Sequence, residues 1–258
     1  MLSEEHDERT APAAPGTAPV PVNDIQVVAR TAQLLRLLTV SDSIDVASVA
    51  RALGIGRSSA HRYLLSMERH GLLVRRGRTT YETGSLMMQL GAAALARNGV
   101  VRLARPLMES LRDEVQHTIT LALWNGAAAV IAHVAEDTSR TAHVSVRVGR
   151  ALRPEAAQTV IFTALLAGTP RRAGLDAAAL DAVRRSGVAV RESREDGVRA
   201  VAVPIVDPSG AVLATLAAVG VAQLVPHAED SDIARALTRV SRAITRALGA
   251  DVAPLTDG

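Results

Sequence analysis

Residues 45–84 read DVASVARALGIGRSSAHRYLLSMERHGLLVRRGRTTYETG. Asp45 is an N-cap residue, and Val46, Val49, Ala50 and Leu53 behind it make an apolar stripe at i, i+3, i+4, i+7. Gly54-Ile55-Gly56 is a tight turn that presents Ile55 to a core. The spacing predicts a further helix from Arg57 that stops at Gly71, a glycine C-cap preceded by His70. Leu72-Leu73-Val74 then reads as a strand, Arg76-Gly77 as a turn and Thr79-Thr80-Tyr81 as the return strand. Upstream, Val28, Ala32, Leu35 and Leu38 recur at helical spacing and predict a first helix over Asp24–Val40. Helix, helix, short turn, helix and hairpin is the order of a winged helix-turn-helix.

The third helix carries the chemistry. At about 100° per residue, Ala60, Tyr63, Leu64 and Met67 share one face and point into a small core. Ser58, Arg62 and Arg69 fall opposite, flanked by His61 and Ser66, with Leu65 also outward. Arginine can bond guanine in two places and serine can meet a base or a phosphate. Between Arg57 and Arg78, six arginines face one glutamate, a net +5, whereas the whole chain carries +3. A row of arginines is also what a solvated face looks like; the turn spacing around it favours DNA. Candidate DNA contacts are therefore Arg57, Ser58, Ser59, His61, Arg62 and Arg69 on the helix. Arg75, Arg76 and Arg78 are placed at the hairpin tip, as a wing that touches phosphates or enters a minor groove.

Composition narrows the alternatives. The 258 residues allow one or two domains. There is no cysteine, which removes disulfides, thiolate zinc sites and cysteine nucleophiles. Only Tyr63, Tyr81, Trp124 and Phe162 are aromatic, too few for a base-stacking sheet or single-strand groove. All 29 basic residues are arginine, so P-loop and Schiff-base chemistry are absent. The sequence pI near 10.3 reflects the lack of groups titrating between histidine and tyrosine rather than strong basicity. GxSxG, HExxH, GxGxxG and metal-ligand histidine spacings are missing, and Glu136-Asp137 and Glu195-Asp196 fall in predicted loops. Neither an enzyme, a metal nor a cofactor is expected. The acidic start is unlike a signal peptide, and the longest apolar run, Ala211–Ala222, is too short for a membrane span. A cytoplasmic location is the default.

Charge and periodicity divide the chain. Residues 1–22, acidic and then Ala/Pro-rich, read as a disordered tail. Residues 23–84 form the winged helix-turn-helix and 85–99 a linker helix that ends at Asn98-Gly99. Residues 100–250 form an α/β domain, and 251–258 a second tail. In the α/β domain, helices are expected over Val101–Val115, Ala156–Ala167, Leu175–Arg185 and Ser231–Leu248, the last capped by Gly249. Strands are expected over Thr118–Trp124, Ala128–Ala135, Thr141–Val148, Val188–Arg191, Val198–Val206 and Val212–Val221. Asn125-Gly126 and Asp207-Pro208-Ser209-Gly210 are turn signals. The fold class is α+β.

The chain resembles the IclR-type transcription regulators. Val27–Leu35, Val49–Ile55, Ser58–Leu64, the wing with Tyr81-Glu82-Thr83-Gly84, and Gln89-Leu90-Gly91 are similar to the DNA-binding half. Ala104-Arg105-Pro106-Leu107 with Leu111, Val146–Arg150, Ala164–Ala167 and Gly197–Ile205 follow in the family's order, so the likeness spans roughly 24–250. It implies a GAF-like effector domain, homodimers or homotetramers, and palindromic DNA sites with half-sites about one turn apart.

The resemblance also implies where a small-molecule effector binds: Thr159, Val160 and Ile161 on one helix, then Glu192, Ala200, Ala217 and Val219 on the last strands. The sequence departs from the family here. Phe162-Thr163 replace a usual Gly-Lys pair, Ala200 a frequent cysteine, and Ala217 and Val219 frequent serines. Thr120, His133, Ser145 and Thr159 remain as polar candidates. The expected effector is apolar or aromatic, or the site has lost its ligand. The expected function is a sequence-specific DNA-binding regulator, with repression as its sign. The competing reading is a GAF-like sensor or small-molecule enzyme whose basic helix meets a protein.

Overall fold

The computed structural model describes residues 25–140, 143–166 and 175–251. The expected tails lie outside it, apart from Asp251 at the end of the last helix. Its first unit contains α1 (Gln26–Leu38), β1 (Ile44–Asp45), α2 (Val46–Leu53), α3 (Arg57–Arg69), β2 (Leu73–Arg76) and β3 (Thr80–Thr83). Asp45 caps α2 as expected. Its carboxylate accepts the Ser48 N–H at 2.7 Å, and Ser48 Oγ accepts the Asp45 N–H at 3.0 Å. Gly54 ends α2 in the left-handed region, φ +62°. Leu34, Ile44, Val49, Ala60, Leu64, Met67, Leu73 and Tyr81 make the core, with Ile55 packed against it. Tyr63, expected inside, is only half-buried. Strand β1 was not expected: Ile44 and Asp45 pair with Tyr81 and Thr80, giving a three-stranded sheet in the order β1-β3-β2.

Helix α4 (Ser85–Arg97) follows and buries none of its residues. Asn98 ends α4 and begins α5 (Gly99–Val115), where its side chain accepts the Val101 N–H at 3.1 Å. The second unit continues with β4 (Thr118–Trp124), β5 (Ala129–Ala135), α6 (Ala157–Leu165), α7 (Ala177–Ser186), β6 (Ala189–Ser193), β7 (Val198–Val206), β8 (Val212–Val221) and α8 (Asp232–Asp251). The strands form one antiparallel sheet, β5-β4-β8-β7-β6. Alternation sorts its side chains into two cores. Ile119, Leu121, Val201, Val203, Ile205 and Leu216 pack on α5 and α8. Ala189, Ala202 and Ala217 pack on α6 and α7.

Two expectations fail. Residues 143–148 are not a strand, and Thr141 and Ala142 lie outside the described residues. The free edge of β5 is taken by residues 149–152: Ile131 N–H donates to Arg150 at 3.0 Å and Leu152 N–H to Ala129 at 2.8 Å. The segment before them does not extend that pairing along β5. Gly249 does not stop α8, which runs to Asp251; Gly249 is not among the left-handed glycines.

Gly84 marks the crossing of two chain segments. A Cβ there would lie 2.2 Å from the Gly71 carbonyl oxygen and 2.7 Å from the backbone of Leu72 and Leu73. None of those atoms can rotate away. Gly84→Ala is expected to destabilise the DNA-binding unit by about 1–3 kcal/mol or more, seen as a lower urea midpoint of unfolding in the full chain.

Candidate functional site

Helix α3 is divided sharply between inside and outside. Ala60, Leu64 and Met67 are buried, whereas Arg57, Ser58, His61, Arg62, Leu65, Ser66 and Arg69 are exposed. Ser59 is half-buried, and its hydroxyl accepts from the Arg62 guanidinium at 3.4 Å. That contact leans Arg62 toward the helix start, the end that meets base edges in this motif.

The wing differs from its sequence reading. Arg75 and Arg76 are strand residues, in register with Tyr81 and Thr80, rather than tip residues. Arg75 lies 5.7 Å from the centroid of the Tyr81 ring and donates to the Arg78 carbonyl at 3.0 Å. Arg76 pairs with Glu82 at 3.2 Å. Only Arg78, next to Gly77 at φ +63°, stands in the turn, exposed. The short hairpin leaves room for one arginine at its tip.

The second candidate site lies between α6 and the sheet. Val160 and Ile161 are fully buried there against Ala200, Ala217 and Val219. Thr120 Oγ1 donates to Gln158 Oε1 at 3.2 Å, and Gln158 Nε2 donates to the Thr215 carbonyl at 3.0 Å. The hydroxyls of Thr159 and Thr215 are buried with no partner. Phe162 is also fully buried, with its ring centroid 5.4 Å from that of Trp124. A cavity of about 20 Å³, room for one water, lies beside Thr118 and Val219.

The comparisons with known proteins fit these two units. The IclR helix-turn-helix domain model matches residues 27–77, and the bacterial transcriptional regulator IclR C-terminal model matches 174–246. The chain belongs to the IclR family of transcription regulators. Among relatives, the HTH-type regulator BhcR of Paracoccus denitrificans is 26% identical over 86% of both chains. Pseudomonas aeruginosa HmgR is 28% identical, with a TM-score of 0.53 over 86% of this chain and 97% of that one. An IclR homolog from Microbacterium hydrocarbonoxydans, crystallised with 4-hydroxybenzoate, shares the fold. Its TM-score is 0.70 at 20% identity, over 87% of this chain and 99% of that one.

This IclR-family chain is thus a DNA-binding regulator with a second, ligand-binding domain. The effector positions carried over by resemblance do not all meet. Thr120, Thr159, Val160, Ile161, Ala200, Ala217 and Val219 converge on the α6 face. His133 is in register with Leu121 and so faces α5. Burial, and then the Arg105 guanidinium, hold its imidazole below the ordinary histidine value. Glu192 also faces away. It pairs with Arg199 at 2.6 Å and His227 at 3.2 Å, and the Arg199 bond holds its carboxyl below the usual range. Ser145 is exposed in the segment that is not a strand. Arg191 occupies the place expected of Glu192: it is in register with Ala200 and two residues from buried Ala189. Gln158, Thr215 and Arg191 went unremarked in the sequence. Counting by two from Ala217 and Ala189 would have found the last two.

Removal of a base-reading side chain and of a phosphate-reading one should differ. Arg62→Ala is expected to cost about 1–3 kcal/mol in binding and relax preference at one base position. Arg78→Ala should weaken all sequences alike and lower the salt slope by about one. Arg76→Ala, whose guanidinium is shared with Glu82, should do less. Competitive binding to randomised duplexes at several salt concentrations measures all three.

Proposed function

We propose that this IclR-type regulator is a repressor that grips a palindromic operator as a homodimer, released or retained according to a small molecule held against α6. Residues 23–84 read DNA, 85–99 link, and 100–250 sense. The solvent face of α3 carries the reading. Its core-facing residues fix the helix so that Ser58, His61, Arg62 and Arg69 project together from a stretch of net charge +5. Two such helices about 34–36 Å apart span successive major grooves.

The homodimer has a natural seam in α4. That helix fully buries none of its residues, yet leaves Leu86 39% and Leu90 55% exposed one turn apart on one face. A second copy of α4 covers this face by two-fold symmetry. The effector reading rests on an α6 face lined by aliphatic groups, hydroxyls and one amide. Such a lining favours an apolar or aromatic body, as 4-hydroxybenzoate has in the Microbacterium homolog. Arg191 at the sheet edge offers a partner for any negative end. The loop carboxylates Glu195 and Asp196 are both engaged by Arg153, which supports a binding protein over an enzyme. Among the described residues no helix is long and apolar enough to cross a membrane, in keeping with a cytoplasmic site of action.

Binding of the full chain to a selected palindrome and to its half-site, across a salt series, tests the DNA reading. The palindrome should win, with a log–log slope near −0.9 per phosphate neutralised. A flat salt response, or equal affinity for both duplexes, overturns it and favours a protein partner for α3. Calorimetric titration tests the effector reading: benzoate should bind and pyruvate should not. Tight pyruvate binding without benzoate binding overturns it.

A further inference from the structure

One residue on the reading face of α3 does not fit its surroundings. Leu65 is 36% exposed, whereas Ala60, Leu64 and Met67 of the same helix are buried. Its neighbours at i−4, i−3 and i+4 are His61, Arg62 and Arg69, all exposed, and at i+3 the half-buried Glu68. An apolar side chain therefore sits among polar and charged groups, two of them arginines, about 40° from the line on which Arg69 projects. The Arg62 guanidinium turns toward Ser59 at 3.4 Å, away from Leu65. In a helix a leucine leans toward the N-terminus, the end of α3 that enters a groove.

The charge around Leu65 selects its occupant. A second copy meeting this face by two-fold symmetry would bring Arg62 and Arg69 against their own duplicates. A polyanion is the complementary surface for a stretch of net charge +5. On the edges of base pairs in the major groove, the one apolar group is the C5-methyl of thymine.

We propose that Leu65 reads a thymine methyl, so that operator choice depends on a hydrocarbon contact as well as on Arg62. This rests on the placement of α3 in the major groove. It predicts a sensitivity that arginine–guanine bonding cannot produce: uracil keeps every hydrogen-bonding atom of thymine and lacks only the methyl.

The test begins with an operator selected from randomised duplexes by the full-length protein. Each thymine is then replaced singly by uracil. One position per half-site should lose about three- to fivefold in affinity, the worth of one buried methyl. Leu65→Ala should weaken the thymine operator by a similar or larger factor and show no further loss on uracil substitution. Leu65→Met should retain the thymine preference. The proposal is overturned if no position responds to uracil, or if Leu65→Ala keeps the full uracil penalty. It is also overturned if Leu65→Ala chiefly dissociates the oligomer in sedimentation, which would assign Leu65 to a second copy. A selection that enriches no sequence overturns the reading of α3 itself, and this inference with it.

Discussion

Burial of Ala60, Leu64 and Met67 against Leu73 and Tyr81 sets the roll of α3 about its own axis. A helix is free to rotate until something fixes it, and a rotation of about 100° would exchange one row of side chains for the next. The three buried residues are spaced four and three apart, so they define a stripe rather than a point. Asp45 and Ser48 cap the start of α2, whose Val49 joins the same core, and β1 ties that start to Tyr81. The polar row that faces outward owes its direction to these apolar contacts. None of the residues that would touch DNA orients itself.

The same logic governs the second domain, with a different period. A strand shows alternate residues to opposite faces, so a shift of one residue reverses what a site contains. Glu192 and Arg191 illustrate this. They are neighbours in sequence, yet the first joins Arg199 and His227 on the α8 side while the second stands beside Ala200. A carboxylate and a guanidinium thus trade places in the site. Against α6 itself the lining is hydroxyls and an amide, with Arg191 at the sheet edge and Phe162 beside Trp124.

Most of the architecture was legible because local chemistry marks it. Asp45, Asn125 and Asp207 announce caps and turns through side-chain bonds to nearby backbone, and those bonds are present, while Gly54 announces one through its left-handed backbone. The Asn125 carboxamide accepts the N–H groups of Ala127 and Ala128, and the Asp207 carboxylate accepts those of Ser209 and Ala211. Elements that depend on distant partners were harder to read. Strand β1 has two residues, too few to carry a period. The pattern at 141–148 suits a strand, but pairing with β5 begins only at residues 149–152. His133 was misplaced because the register of β4 and β5 shifts between Leu121 and Ala122, so parity counted along β5 alone gives the wrong face. The number of arginines at the wing tip depended on where the hairpin closes, which Tyr81 settles by pairing with Arg75.

Asn98 belongs to two helices at once, closing α4 and opening α5 with no residue between them. Few backbone torsions therefore separate the axis that leads to the DNA-reading unit from the axis packed on the sensing sheet. The connection has the character of a crank rather than a tether. A few degrees of twist beneath α5 become a displacement at the far end of α4, about 20 Å away at 1.5 Å per residue. Most of α4 is exposed, although Leu95 packs on the core of the second unit and the Leu86 N–H donates to the Gly71 carbonyl at 3.1 Å. The side-chain ion pair between Arg147 and Asp42, 3.0 Å apart and open to solvent, spans the two units like a loose stay on that crank. The junction between the two units is thereby set by geometry that one asparagine cap defines.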